Sequence, residues 1–230
     1  MKLVDLFLVT FFIIAAGCSS SPDKEQTQGQ IPEDVCNDES SVDSAGASVV
    51  EDPVDTMHGD SDEQEASPIT WTECSGMPGD KACDFTFKDQ NGDDWSLYDH
   101  YGTVMVIDFS TVWCGVCRSI AGDVQVHQDA YTDRGHNFLW VTVLVDGLSG
   151  GIAPEASDIQ DWVSAYGMTT SPVLVGDRTI IDTTAADGYP VTAWPTLVVV
   201  DETLTIHNGI LGWNESTVFG WVDDALGIAR

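Results

Sequence analysis

The chain has 230 residues and carries 8 lysines and arginines against 38 aspartates and glutamates, a formal net charge of −30. Hydrophobic residues make up 43% of it, enough for a core, which excludes a chain that is disordered throughout. So few cations leave no electrostatic footprint for nucleic acid or for anionic lipid head groups.

The first residues predict export. An apolar stretch from Leu6 to Ala16 is too short to span a membrane comfortably and is typical of a signal peptide over residues 1–17. The four residues ending at Cys18, AAGC, are similar to a bacterial lipobox, although Ala15 stands where leucine is usual. This resemblance implies a lipid on Cys18 and a membrane-anchored chain facing the periplasm or the cell exterior. The alternative is a plain secretory signal, and either route permits disulfides.

Residues 18–70 are predicted to be an acidic, disordered tether. Residues 19–70 contain 14 acidic residues and one lysine, with no Trp, Tyr or Phe. Such a segment cannot bury enough apolar surface to offset its ordering entropy. All eight tryptophans follow residue 70, which predicts one folded domain over residues 71–230.

The predicted elements of this domain alternate between strands and helices. Alternating residues and continuous apolar runs predict strands at 84–88, 103–109, 138–145, 196–200 and 204–210. Apolar residues at helical spacing predict helices at 114–134, at 157–166 and around 218–226. In the first helix, Val116, Ile120 and Val124 fall on one face. This order predicts an α/β fold with a mixed central sheet flanked by helices.

A C-x-x-C pair carries the chemistry. Cys114 and Cys117 directly follow a predicted buried strand and open a predicted helix. Free backbone N–H groups and the helix dipole favour an anion there, so Cys114 is predicted to be a thiolate nucleophile. Cys117 is close enough to resolve a mixed disulfide. The other interpretations are a structural disulfide or half of a metal site, but no second Cys/His pair has similar spacing.

Residues 108–117, DFSTVWCGVC, resemble the active-site strand and turn of thioredoxins, and Pro195 before TLVVVD matches the cis-proline that faces the active site in that fold. Residues 78–89 and 95–99 are similar to the N-terminal hairpin of the redoxin/TlpA/ResA branch. That branch comprises exported or membrane-anchored thiol–disulfide oxidoreductases, several of which serve cytochrome c maturation. The resemblance implies a thioredoxin-like fold with an N-terminal β-hairpin extension.

The resemblance also implies the site and its partners. Cys114, Cys117, Asp108, Pro195 and Trp113 would form the catalytic site, with Asp108 exchanging a proton with Cys117. Trp113 is equally consistent with core packing and with a wall of the site. The partners would be protein thiols and disulfides and a membrane electron donor, with no cofactor and a monomeric chain. The Gly-Val pair between the cysteines supplies no cation, so we predict a moderately reducing couple.

Three further cysteines and Trp194, which precedes Pro195, also have predicted roles. Cys74 and Cys83, close in sequence at the edge of the domain, are predicted to form a structural disulfide. Cys36, in the tether, is free, intermolecular, or paired with Cys74 or Cys83 instead. Trp194 stands before Pro195 where the family usually has a smaller residue, which bears on the choice of partner.

Three other functions stay open at this point. A thiol peroxidase would use the T-x-x-C of Thr111 and Cys114, but Ile107 stands where peroxiredoxins carry proline. A copper-binding assembly protein on the same fold would add the distal His207, but needs a C-x-x-x-C spacing. A redox-regulated binding module would keep its effect after Cys114→Ser.

Overall fold

The computed structural model describes residues 68–229. The predictions for the signal peptide, for Cys18 and Cys36, and for the tether up to residue 67 lie outside the described residues. The described part begins three residues before the predicted boundary at 71, and Ile69 packs against the core. No helix in the described part is both long and apolar enough to cross a membrane.

Seven strands form one mixed sheet in the order β2-β1-β5-β4-β3-β6-β7. The strands are β1 (Thr86–Lys88), β2 (Asp94–Ser96), β3 (Val104–Thr111), β4 (Phe138–Asp146), β5 (Val173–Val175), β6 (Thr196–Val200) and β7 (Ile206–Leu211). Strands β3, β4 and β5 run parallel, and the outer strands pair antiparallel. The predicted mixed α/β sheet is therefore confirmed.

Three helices cover one face of this sheet. They are α1 (Gly115–Thr132), α2 (Ala156–Tyr166) and α3 (Glu215–Ala225). The crossovers β3-α1-β4 and β4-α2-β5 step in the same direction across the sheet, and right-handed crossovers in one direction place their helices on the same face. Buried residues of all three helices accordingly share one core cluster with side chains of β3 and β4.

The opposite face is covered without long helices. The β1–β2 hairpin, in which Phe87 lies opposite Trp95, confirms the N-terminal extension. The hairpin residues Phe85 and Trp95, the 3₁₀ turn Leu97–His100 and the irregular segment around Tyr189 build a second core cluster on that face. The sheet therefore separates two cores, and residues of β3 alternate between them.

Three details differ from the sequence expectations. Val116 is 50% exposed, because the buried face of α1 is built on Cys117, Ile120 and Val124 instead. Strand β7 begins at Ile206 rather than 204, since Leu204 lies in the connecting turn with φ 59° and its side chain in the core. The three-residue strands β2 and β5 had no periodicity of their own.

Candidate active site

The two cysteines lie where β3 passes into α1. Cys114 is the N-cap residue of α1 with an extended backbone, and its Sγ accepts a hydrogen bond of 3.2 Å from the backbone N–H of Cys117. The pair forms a disulfide with Cα atoms 5.3 Å apart. This position gives Cys114 the free N–H groups and the positive dipole end that stabilise a thiolate after reduction.

The disulfide is buried between exposed apolar neighbours. Cys117 is fully buried and Cys114 is 6% exposed, whereas Trp113 is 42% exposed. Trp113, the residue before Cys114, lines a groove of about 350 Å³ together with Leu148 and Trp162. A partner can therefore reach the edge of Cys114 while it covers apolar surface.

Asp108 is buried beneath this turn. It lies on the helix-facing side of β3, the side on which Cys117 is buried. Its Oδ1 accepts a hydrogen bond of 2.6 Å from Ser110 Oγ, and its Oδ2 has no hydrogen-bond partner among the described residues. Burial raises the pKa of Asp108 to about 7, against the lowering effect of the Ser110 hydroxyl. Such a carboxyl can take up or release a proton near neutral pH.

Pro195 reaches the same end of the sheet. The Trp194–Pro195 peptide bond is cis, and Pro195 directly precedes β6. Thr196, the first residue of β6, pairs with Phe109 in β3, close to where the chain turns to Cys114. Trp194 is half-buried and packs against both core clusters. The structure thus brings the catalytic residues predicted from the resemblance to one end of the sheet.

An ion pair that sequence reasoning missed lies beside them. Asp146 ends β4, and its fully buried carboxylate accepts two hydrogen bonds from Arg178, of 2.8 Å from Nε and 2.7 Å from Nη2. These bonds hold the pKa of Asp146 below its usual range, with smaller contributions from the Gly151 N–H and the Trp113 indole. The only feature of the sequence that could have indicated this pair is Arg178 itself, an isolated cation in an acidic chain.

Two other predicted groups lie outside the turn that carries Cys114 and Cys117. Cys74 and Cys83 form a disulfide with Cα atoms 4.9 Å apart, in the segment before β1. His207 lies near the start of β7, whereas Leu211 at its end pairs with Thr196 beside the active site. His207 therefore does not join Cys114 and Cys117. No group of three or more His, Cys, Asp or Glu side chains in the described part is placed to bind a metal ion.

Comparison with protein families gives a match over most of the folded part. A model described as the AhpC/TSA family matches residues 78–208. A search of curated proteins found no match.

Solved structures resemble the chain at low sequence identity. A Chlorobium tepidum protein assigned as thiol:disulfide interchange protein DsbE has a TM-score of 0.54 and 24% identity, covering 66% of this chain and 100% of its own. The thioredoxin domain of a Bacteroides vulgatus thiol-disulfide oxidoreductase has a TM-score of 0.53 and 18% identity, and the match covers 65% of this chain and 98% of that domain. The exposed lipoprotein thioredoxin of Streptococcus pneumoniae has a TM-score of 0.50 and 22% identity, and the match covers 63% of this chain and 100% of that protein. At these identities the likeness shows a shared thioredoxin-like fold.

Proposed function

The chain belongs to the AhpC/TSA family, and from this premise we propose that it is a thiol–disulfide oxidoreductase acting on partner proteins. One observation carries the proposal. The Cys114–Cys117 disulfide lies at the N-terminus of α1, with a buried carboxyl of raised pKa on the same side of β3. A structural disulfide requires neither feature, whereas thiol exchange uses both.

The reaction follows from these positions. In the reduced protein, the Cys114 thiolate attacks one sulfur of a partner disulfide, whose S–S bond breaks to give a mixed disulfide and a partner thiolate. Asp108 as carboxylate takes the proton of the Cys117 thiol. The Cys117 thiolate then attacks Cys114 Sγ, which restores the Cys114–Cys117 disulfide and releases the second partner thiolate. The partner gains two electrons, and a thiol donor must return two electrons to the protein.

The surface around the disulfide supports a protein as the substrate. Trp113, Val116 and Leu148 are large apolar side chains with 42%, 50% and 75% exposure, and Trp113 and Leu148 line the same groove. Exposed apolar surface of this kind marks interaction sites. A partner that covers it would bring its own disulfide to Cys114.

The direction and location belong to the same proposal. We assign the reductant role, because Gly115 and Val116 put no cation between the sulfurs and the thiolate is stabilised mainly by the helix end. The lipobox-like Cys18 and the acidic tether would place the domain outside the cytoplasm near a membrane, within reach of a membrane electron donor. The names DsbE and exposed lipoprotein thioredoxin among the structural neighbours agree with this location. Cytochrome c maturation is the process in which we would first seek partners.

The reduction potential of the full chain tests the proposal. The protein is equilibrated with glutathione or dithiothreitol buffers, and the Cys114 and Cys117 thiols are counted by labelling. We expect a reversible couple near that of thioredoxin, about −270 mV. A potential near −120 mV, typical of strong oxidants, would reverse the assigned direction.

Trapping tests the mechanism separately. Cys117→Ser is expected to accumulate a mixed disulfide with a partner through Cys114, and Cys114→Ser to accumulate none. The matched control replaces Cys74 and Cys83 by serine and should leave exchange intact. If Cys117→Ser traps no partner while peroxide is consumed through Cys114 alone, the protein is a peroxidase instead.

A further inference from the structure

An apolar groove that the reaction described above does not use lies on the face of the sheet opposite the helices. Its floor is formed by Thr196 and Val198 of β6 and by Leu211 and Gly209 of β7, which pair with them and share this face. The volume of this β6–β7 groove is about 380 Å³. A Cβ on Gly209 would lie 3.6 Å from Val198 Cγ2, so a larger residue there would fill part of the floor.

Two irregular segments that pack against each other border the β6–β7 groove. Gly76 lies so close to Pro190 that an added Cβ would be 2.6 Å from the proline Cδ, which requires glycine at this position. Met77 and Thr192 extend the border from the two segments. None of the residues that line the groove is charged, and Met77 and Leu211 are 51% and 54% exposed. Apolar surface that is both concave and exposed is typical of an interaction site.

The groove runs beside an open edge of the sheet. Residues 79–81 pair with the chain at the start of β7, but over residues 208–211 no strand of the described part pairs with the outer side of β7. The Gly209 N–H donates to Asn208 Oδ1 at 2.9 Å, so this group is already satisfied. An extended polypeptide fits such an edge, because its alternate side chains enter the groove while part of its backbone hydrogen-bonds to β7.

One end of the groove lies at the active-site end of the sheet. Thr196 follows the cis-proline Pro195 directly and pairs with Phe109 in β3, the strand that leads to Cys114. The N–H of Gly212, the residue after β7, donates to the Pro195 carbonyl at 2.7 Å. A polypeptide whose disulfide is at Cys114 can therefore continue past Pro195 into the groove.

Charge selects among the candidate occupants of the groove. Residues 68–229 contain 5 lysines and arginines against 23 aspartates and glutamates, and residues 19–70 contain one lysine against 14 acidic residues. A second copy of this chain, or its own acidic N-terminal segment, would bring negative charge to a strongly negative domain. A neutral or basic segment of a partner protein meets no such repulsion, and the uncharged lining of the groove favours apolar side chains.

We propose that the β6–β7 groove binds an extended, apolar and non-acidic segment of the partner protein that lies next to the partner disulfide. The inference rests on the proposed function and adds the substrate class, namely polypeptides that are unfolded around the disulfide. The groove contributes affinity through apolar contacts and exchanges no proton or electron with the sulfurs. Disulfides without such a segment are reduced as well, but less efficiently at low concentration.

The experiment uses the full chain in its reduced form and two synthetic peptides of equal length and equal positive charge. Each peptide holds one intramolecular disulfide, followed by five residues of alternating leucine and threonine in the first and of alternating glycine and serine in the second. The peptide thiols formed in a single turnover are counted by labelling at several peptide concentrations. The ratio of the second-order rate constants for the two peptides measures what the apolar segment contributes.

The wild type should reduce the apolar peptide about tenfold faster than the glycine–serine peptide at low concentration, which corresponds to burial of about one apolar side chain. Met77→Asp and Leu211→Asp place a charge in the groove and should bring this ratio close to one. The matched control is Val126→Asp, since Val126 is 65% exposed on α1 and outside the groove, and it should keep the wild-type ratio. Because the two peptides have the same charge, the added carboxylate affects steering of both equally.

A photoreactive benzophenone amino acid in place of Leu211 identifies the occupant directly. Irradiation with the apolar peptide should crosslink the peptide, and the product is identified by mass spectrometry. Crosslinks to a second copy of the chain or to residues 19–67 instead would assign the groove to that occupant and overturn the proposal.

The kinetic outcomes separate this proposal from the proposed function. A wild-type ratio near one, or a ratio that Met77→Asp and Leu211→Asp leave at the wild-type value, would overturn the binding role of the groove while the proposed function stands. If circular dichroism shows that one variant does not fold, the other decides, since the two residues lie in different segments. A wild type that reduces neither peptide would overturn the proposed function and this inference with it.

Discussion

Asp108 and Asp146 lie on neighbouring parallel strands, both towards the active-site end, and both are buried, yet their acidities move in opposite directions. Asp108 receives one hydrogen bond from a neutral hydroxyl, and burial raises its pKa to about 7. Asp146 receives two from the Arg178 guanidinium, which holds its pKa below the usual range. Desolvation is the largest influence on Asp108 and hydrogen bonds from a cation are the largest on Asp146, so one carboxyl can transfer a proton and the other is a fixed charge.

The largest expected effect is on stability at alkaline pH. Asp108 has a higher pKa in the folded chain than its ordinary value near 4, so the folded state binds the extra proton between about pH 4 and pH 7. Stability contributed by this group is fully present below pH 4 and is lost as the pH rises through about 7. Asp108→Asn removes the cost of ionisation and should stabilise the protein at pH 8 by on the order of 4 kcal/mol at most.

Urea unfolding of wild type and Asp108→Asn at several pH values measures this difference. The gain should shrink towards zero, or reverse, at pH 4, where the buried carboxyl is neutral in the wild type as well. A gain that is the same at pH 4 and pH 8 would mean that Asp108 does not titrate as its burial predicts.

The next effect is on the rate of resolution. Without a carboxylate to take the Cys117 proton, Asp108→Asn should slow release of the partner from the mixed disulfide by roughly 10²-fold at pH 7. In the wild type this rate should rise as the pH passes through about 7, the pKa of Asp108, and the variant should lack that step. Rapid-quench measurement of mixed-disulfide lifetimes would show it. An unchanged lifetime would leave Asp108 as a structural acid.

Sequence patterns predicted the interior of the sheet and only part of its edges. The strands β3, β4 and β6 are buried on both faces and show as continuous apolar runs. The strands β2 and β5 have three residues each, and unlike β1, which continues the alternating pattern of residues 84–88, they are defined by their pairing with neighbouring strands. Val116 matched the helical spacing but is exposed, because tertiary packing selected the face that contains Cys117.

Sequence patterns likewise identified some residues of the candidate site and not others. The cysteines lie close together in sequence, so local spacing and the strand–helix junction were enough to identify them. The Asp146–Arg178 pair joins residues 32 positions apart, and no local pattern predicts which acid of a strongly acidic chain meets a given arginine. The copper-binding alternative would have used His207, and the register of β7 places this residue away from the end of the strand that pairs with Thr196.

A smaller effect is expected from removing the charge of Asp146. Asp146→Asn leaves the guanidinium without its anionic acceptor, and loss of a charge-assisted hydrogen-bond pair costs about 2 kcal/mol, a low value because Arg178 is half-exposed to water. Because the pKa of Asp146 is lowered in the folded chain, the stability that this carboxylate contributes is present above about pH 4 and is lost as the pH falls. Unfolding at pH 7 and pH 3 measures it, and a destabilisation that persists undiminished at pH 3 would contradict the ion-pair explanation.

The smallest effect is expected from the exposed pair Lys88–Asp94. Its atoms are 2.8 Å apart, as close as in the buried pair, but the two side chains are 55% and 70% exposed. Water screens the attraction, and holding two flexible side chains together costs entropy, so Lys88→Met should change stability by less than about 0.5 kcal/mol. Lys88→Met and Asp146→Asn, compared in urea at pH 7, therefore set an exposed pair with one contact against a pair whose carboxylate is buried and accepts two hydrogen bonds. Equal effects on stability would mean that neither the burial of Asp146 nor its second hydrogen bond strengthens the pair.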